Sequence, residues 1–164
     1  AGYNVSDLNF GEGVGVVNRG STDFFVVKYD SNGVAQWAAG SAEGTGTCIN
    51  IGKAVFVDSS GNVYVVGDFE SATLGFGNDI NLTNRGSSDF FVVKYNSSGV
   101  AQWAMGPSIG TGTSSDNAYS VFVDSVGNAY LAGYFASVTL GFGNGVNLTN
   151  RGSGDFFVAK YGYN

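Results

Sequence analysis

The feature that most constrains this chain is a heptapeptide written three times. Asp23-Phe-Phe-Val-Val-Lys-Tyr29 returns as Asp89-Phe-Phe-Val-Val-Lys-Tyr95 and again as Asp155-Phe-Phe-Val-Ala-Lys-Tyr161, at a spacing of 66 residues both times. A fixed period of this length marks units that bury their apolar faces only by stacking on copies of themselves. Within the heptapeptide, Phe24, Val26 and Lys28 point to one face of a strand, and Phe25, Val27 and Tyr29 to the other. Apolar residues on both faces predict a strand covered on both sides, although an isolated chain is expected to leave an outer face of its first and last units uncovered.

The rest of the period reads as further strands and tight turns. Asp30-Ser-Asn-Gly33 separates the first heptapeptide from Val34-Ala-Gln-Trp-Ala38, and Asn-Gly between β-rich runs is a strong hairpin signal. A looser stretch from Gly40 to Gly52 leads to Ala54–Val57, the turn Asp58-Ser-Ser-Gly-Asn62, and Val63–Phe69. Leu74, Phe76, Ile80 and Leu82 alternate and predict a small extra hairpin over 73–83. From Gly99 the unit repeats, with about 41 of 66 positions identical between 33–98 and 99–164.

Named A to D, the strands fall near 54–57, 62–69, 89–95 and 100–105. Ala1-Gly-Tyr3 matches Ala132-Gly-Tyr134, the end of strand B, so the chain opens partway through a unit. The predicted order is B-C-D, A-B-C-D, A-B-C, within one repeat domain spanning 1–164 (partial repeat 1–32, repeats 33–98 and 99–164). No segment shows a 3.6-residue period with caps, so helix is not expected. A ten-strand sandwich is the alternative, but it gives no reason for a strict 66-residue register.

Composition narrows the function. The 164 residues fit one domain or part of one, and 43% apolar with 15% aromatic residues suffices for a packed core. The net charge of −6 disfavours nucleic acid, which requires a basic stripe. Six of the seven cations sit at two phases of the repeat: Arg19, Arg85 and Arg151, then Lys28, Lys94 and Lys160. Cations placed in this way serve the repeat's structure. Cys48 is the single cysteine and His is absent, which removes intrachain disulfides, thiolate metal clusters and the commonest general base. No apolar run reaches the roughly 18 residues of a membrane helix, so no transmembrane segment is expected. No signal peptide is visible at Ala1, so if the protein is secreted, the expectation is that this is its mature form.

Three motifs resemble a known family. Val-Phe-Val-Asp-Ser-x-Gly-Asn-x-Tyr (55–64 and 121–130), Gly-Phe-Gly-Asn (75–78 and 141–144) and the heptapeptide are similar to the SBBP-type β-propeller repeat of bacterial secreted and surface proteins. The likeness covers essentially the whole chain. It implies an all-β fold of β-propeller-type four-stranded blades, about two and a half in number, and an extracellular or cell-surface location. It implies no activity. The first unit departs from the pattern at Cys48-Ile-Asn-Ile-Gly-Lys53, where the second has Ser114-Ser-Asp-Asn-Ala-Tyr119.

Candidate chemistry reduces to structure at most positions. Asp58-Ser-Ser-Gly-Asn62 and Asp124-Ser-Val-Gly-Asn128 lack the oxygen spacing of a calcium loop and read as Asx-type turns. Asp23, Asp89 and Asp155 each follow an Arg by four residues, which predicts a local ion pair or strand-end cap. Trp37 and Trp103 suit a sugar platform in isolation, yet their repeated place in strand D predicts packing between units. No nucleophile–base arrangement is present, so no catalytic residue, metal ligand or cofactor is expected.

In an up-and-down unit both tight turns lie at one end and both long connections at the other, where binding residues concentrate. A ligand site is therefore expected among Thr45, Thr47, Asn50, Asn84, Arg85, Thr111, Thr113, Asp116, Asn150 and Arg151. The expected function is a non-catalytic extracellular structural or adhesive protein that self-assembles. Its partner is a second copy, joined into an oligomer or fibre through the part-units at 1–32 and 133–164. The alternatives are a lectin-like, glycan-binding module and a fragment of a larger secreted protein or enzyme.

Overall fold

The computed structural model of the protein describes residues 2–3, 7–42, 47–110 and 114–162, and among them there is no helix. In chain order, β1 (Gly2–Tyr3) is followed by a hairpin of β2 (Asp7–Gly11) and β3 (Val14–Val17), then by β4 (Asp23–Tyr29) and β5 (Ala35–Gly40). The second run is β6 (Asn50–Val57), β7 (Val63–Phe69), the hairpin β8 (Thr73–Gly75) and β9 (Asn81–Thr83), β10 (Asp89–Tyr95) and β11 (Ala101–Met105). The third is β12 (Asp116–Val123), β13 (Ala129–Phe135), the hairpin β14 (Thr139–Gly141) and β15 (Asn147–Thr149), and β16 (Asp155–Tyr161).

The long strands pair in three antiparallel sheets, β1-β4-β5, β6-β7-β10-β11 and β12-β13-β16. Each small hairpin forms its own two-stranded sheet, Leu74 lying opposite Leu82 in the middle one, and Gly141 of the last also bridges to Ile109. The tight turns follow from their side chains. Oδ1 of Asp30, Asp58, Asn96 and Asp124 each accepts the N–H groups two and four residues on, at 2.9–3.1 Å. Gly33, Gly61, Gly99 and Gly127 follow at φ 78°, 78°, 80° and 89°, a region a side chain would disfavour.

The three sheets stack face to face through two apolar clusters. Phe24, with Val26, Trp37 and Ala39 packed beside it, meets Val63, Val65, Phe91, Val93 and Tyr95 of the second sheet. On the other face of that sheet, Tyr64, Val66, Phe90, Val92 and Trp103 meet Val121, Val123, Leu131 and Phe157 of the third. A fully buried Phe contributes roughly 1.5–3 kcal/mol, so the alternating Phe pair of the heptapeptide ties the middle sheet to both neighbours. Backbone bonds set the register between sheets: Asn50 N–H donates to Thr22 O and Asp116 N–H to Ser88 O, both at 2.8 Å.

One expectation needs correction. Strand A begins at Asn50, not near 54. Asn50–Lys53 lacks alternation because the register slips between Gly52 and Ala54, and the segment is held by pairing to Gly67–Phe69. The heptapeptide strand is covered on both faces only in its middle copy, β10, which is buried at every position but Lys94. In β16, Phe156, Val158 and Lys160 are exposed, and in β4 Lys28 and Tyr29 are. The outer sheets have a neighbour on one side only.

Candidate interaction faces

The long connections do meet at one end of the stack, as Ser87 N–H donating to Ser114 O at 2.8 Å shows. There the expected ligand-site residues serve mainly to brace the fold. Asn50 is fully buried; its Nδ2 donates to Asp23 Oδ1 at 2.9 Å and its Oδ1 accepts from Ser71 Oγ at 2.9 Å. Asp116, also fully buried, accepts from Ala136 N–H, Ser137 N–H and Ser137 Oγ. Asn84 and Asn150 each bridge a strand end, donating to Phe69 O and Phe135 O and accepting from Gly86 and Gly152 N–H. Arg85 donates Nε–H to Pro107 O at 3.1 Å. Thr47 and Arg151 are exposed. Thr45, Thr111 and Thr113 lie outside the described residues.

The Asp of each heptapeptide caps its own strand. Asp23, Asp89 and Asp155 accept from the backbone N–H of Arg19, Arg85 and Arg151 at 2.5, 2.6 and 2.8 Å, so the contact is with the peptide group of the Arg. The surroundings of the first two differ. Asp23 Oδ1 accepts from Ser41 Oγ and Asn50 Nδ2. At the equivalent places the second unit has Pro107 and Asp116, and Asp89 Oδ1 is buried without a hydrogen-bond partner among the described residues. Burial, aided by the Asp116 charge and opposed by the Arg85 N–H and charge, pushes the Asp89 carboxyl up to about 6. Asp124, whose oxygens accept from its own turn, is held below the ordinary carboxylate range, as is Asp58 against the effect of its partial burial.

The Trp side chains pack between sheets. Trp37 donates Nε1–H to Ser97 O at 3.0 Å and lies 6.3 Å from the Tyr95 ring. Trp103 is buried, edge-on to Tyr64 at 5.9 Å. Lys53, the one cation outside the two repeat phases, pairs with Asp68, bonds Asn117 Oδ1 at 3.1 Å and sits 4.3 Å over the Tyr119 ring.

The open apolar surface lies on the outer sheets. On the third sheet Phe156 is 81% and Val158 65% exposed, and they are paired in register with Tyr134 and Ala132. Their equivalents one unit earlier, Phe90 and Val92, are fully buried. Sequence reasoning placed an open face within the part-unit 133–164 but did not single out these residues, because the three heptapeptides are alike. The available signal was positional: a stack has two end faces whatever its repeats say. Beside the first sheet, Val55 and Val57 are also open, whereas the equivalent Val121 and Val123 are buried against the second sheet.

No family model matches the chain. It is similar to an uncharacterized WD repeat-containing protein of Acanthamoeba polyphaga mimivirus, 29% identical over 93% of this chain. The chain spans 12% of that protein's length. By its strands and its 66-residue period the chain is an all-β repeat protein, similar over nearly its whole length to a short section of a WD repeat-containing one.

Proposed function

We propose that this chain is a β-propeller-type structural module, non-catalytic, whose role is to assemble with further sheets through its outer faces. One observation carries the reading: Phe156 and Val158 are 81% and 65% exposed at the positions where Phe90 and Val92 are fully buried. Apolar side chains that pack between sheets inside the chain are presented to solvent at its end, and exposed apolar patches of this kind mark interaction sites. Two features support it further: the relative is named for its WD repeats, and propellers close with 4–8 blades where this chain contributes three sheets. Sedimentation velocity of the purified chain over a broad concentration range tests it. Species of more than one 16.9 kDa chain are expected, and a monomer at every concentration would overturn the reading.

The relative's length favours a second reading, in which further repeats of a longer chain cover the same faces. It predicts that a longer product of the same gene is monomeric, with Phe156 protected from solvent.

A further inference from the structure

The middle sheet has four strands and the third has three. In the middle sheet β11 lies along the edge of β10 away from β7, with Val92 opposite Met105, Val93 opposite Ala104, Lys94 opposite Trp103 and Tyr95 opposite Ala101. β16 is the counterpart of β10, 66 residues on, and among the described residues only β13 pairs with it. Its other edge, along Val158–Tyr161, has no described strand beside it, and such an edge is a template for pairing with another chain.

The surroundings of that edge repeat those that hold β11. A groove of about 600 Å³ runs beside β16, lined by Met105, Phe142, Asn144, Val146 and Leu148 together with the edge itself. Their counterparts 66 residues earlier are Ala39, Phe76, Asn78, Ile80 and Leu82, and the four apolar ones pack in one cluster with Ala101 and Ala104 of β11. Asn78 Nδ2 also donates to Ala101 O at 3.3 Å. Ile80 and Leu82 are partly buried, whereas Val146 and Leu148 are exposed. On the opposite side of β11, Trp103 is edge-on to Tyr64, whose ring lies 5.3 Å from Lys94 Nζ. Tyr130 and Lys160 repeat that stacking at 5.5 Å, with no described Trp beside them.

We propose that the open edge of β16 and its groove bind an extended peptide of a separate partner chain, added to the sheet as a fourth strand. Strand D of the chain itself specifies the chemistry of that peptide. Both copies, 34–38 and 100–104, read Val-Ala-Gln-Trp-Ala: small residues for the groove, an exposed polar residue, and a Trp to lie across from Lys160 beside Tyr130. In such an addition the backbone pairing supplies affinity and the pockets for alternate side chains supply specificity. Lys160 is the one charged residue among the described lining, so a neutral or acidic segment is accepted and a cation opposite it is repelled. The site is a strand edge, whereas the assembly read above uses sheet faces, so either can fail without the other.

The probe is a labelled synthetic peptide of residues 99–106, Gly-Val-Ala-Gln-Trp-Ala-Met-Gly, titrated with the whole chain and followed by fluorescence anisotropy. Saturable 1:1 binding is expected, with amide hydrogen exchange slowed across 158–161. Trp103→Ala in the peptide is expected to raise the dissociation constant at least about 30-fold, as for a central Trp anchor. In the chain, Val146→Trp fills the groove from an exposed position and is expected to weaken binding at least about tenfold by overpacking it. Far-UV circular dichroism reports whether that variant folds, and Leu148→Lys replaces it if it does not. No saturable binding, or equal binding of a scrambled peptide, would overturn the proposal. So would exchange at 158–161 that is slow without peptide and slows further with chain concentration, because a second copy would then hold the edge. Peptide binding by a chain that is monomeric at every concentration would uphold the proposal and remove only the assembly reading.

Discussion

Phe90 and Phe156 carry the same side chain at the same phase of the repeat, but Phe90 is fully buried and Phe156 is 81% exposed. Phe90→Ala removes a ring packed against Phe142 and Phe157 and is expected to cost about 3–5 kcal/mol in urea denaturation. Phe156→Ala, measured where the chain is monomeric, should change stability by less than about 0.5 kcal/mol. Equal losses would show that the end face is closed. The carboxylates allow a second comparison at this scale. The Asp89 carboxyl lies near 6, above its ordinary value of 3.8, so the native state holds that proton more tightly than the unfolded chain does. Its stabilising contribution is full below about pH 3.8 and is lost as pH rises through about 6. Asp116→Asn restores the Asp–Asn pairing that the first unit has at Asp23 and Asn50, and it supplies Asp89 Oδ1 with a donor. The variant should gain about 0.5–1.5 kcal/mol at pH 7 and flatten the slope between pH 4 and 6 in urea denaturation. A loss of stability at pH 7 would mean that the two carboxylates are not in opposition.

At the scale of the strand, the glycines of strand B mark where strand A bulges toward it. A Cβ added at Gly67 would fall 1.8 Å from Ile51 O and 3.0 Å from the Phe91 ring, and one at Gly133 would fall 2.1 Å from Asn117 O and 2.6 Å from the Phe157 ring. The opposing register slips, Gly52/Ala54 and Ala118/Ser120, lie beside both glycines. The carbonyl of the bulged strand and the edge of a buried Phe ring therefore occupy the space a side chain would need. Gly67→Ala is expected to destabilise by about 1–3 kcal/mol, the overpacking range. Gly152→Ala, where nothing lies within 4 Å, should stay within about 0.5 kcal/mol. Thermal melts of the two variants side by side check the contrast, and a neutral Gly67→Ala would show that the bulge relaxes.

For the whole molecule, three sheets in series leave two outer faces, and stability becomes a property of the stack and its neighbours. If copies join through those faces, the melting temperature rises with protein concentration, because association favours the folded state by mass action. Phe156→Asp should abolish that dependence and melt at the same temperature at every concentration. Differential scanning calorimetry over a hundredfold concentration range measures both. A concentration-independent wild-type transition would argue that the end faces stay open.

The sequence by itself determined everything whose physics is local. The 66-residue period, the alternation in the heptapeptide and the Asp/Asn-to-Gly turns are legible because each depends on residues a few positions apart. The small hairpin over 73–83 was legible for the same reason. The Asn50 start of strand A was not, since Asn50–Lys53 has no strand pattern and is fixed only by its pairing across the bulge. Nor could Asn50 and Asp116 be recognised as buried braces: they look like loop polar residues until the preceding sheet is set against them. Above all, Phe24, Phe90 and Phe156 are equivalent in sequence, and only tertiary structure decided which are covered. An apolar side chain specifies that a face needs a neighbour, and whether it has one depends on contacts between residues far apart along the chain.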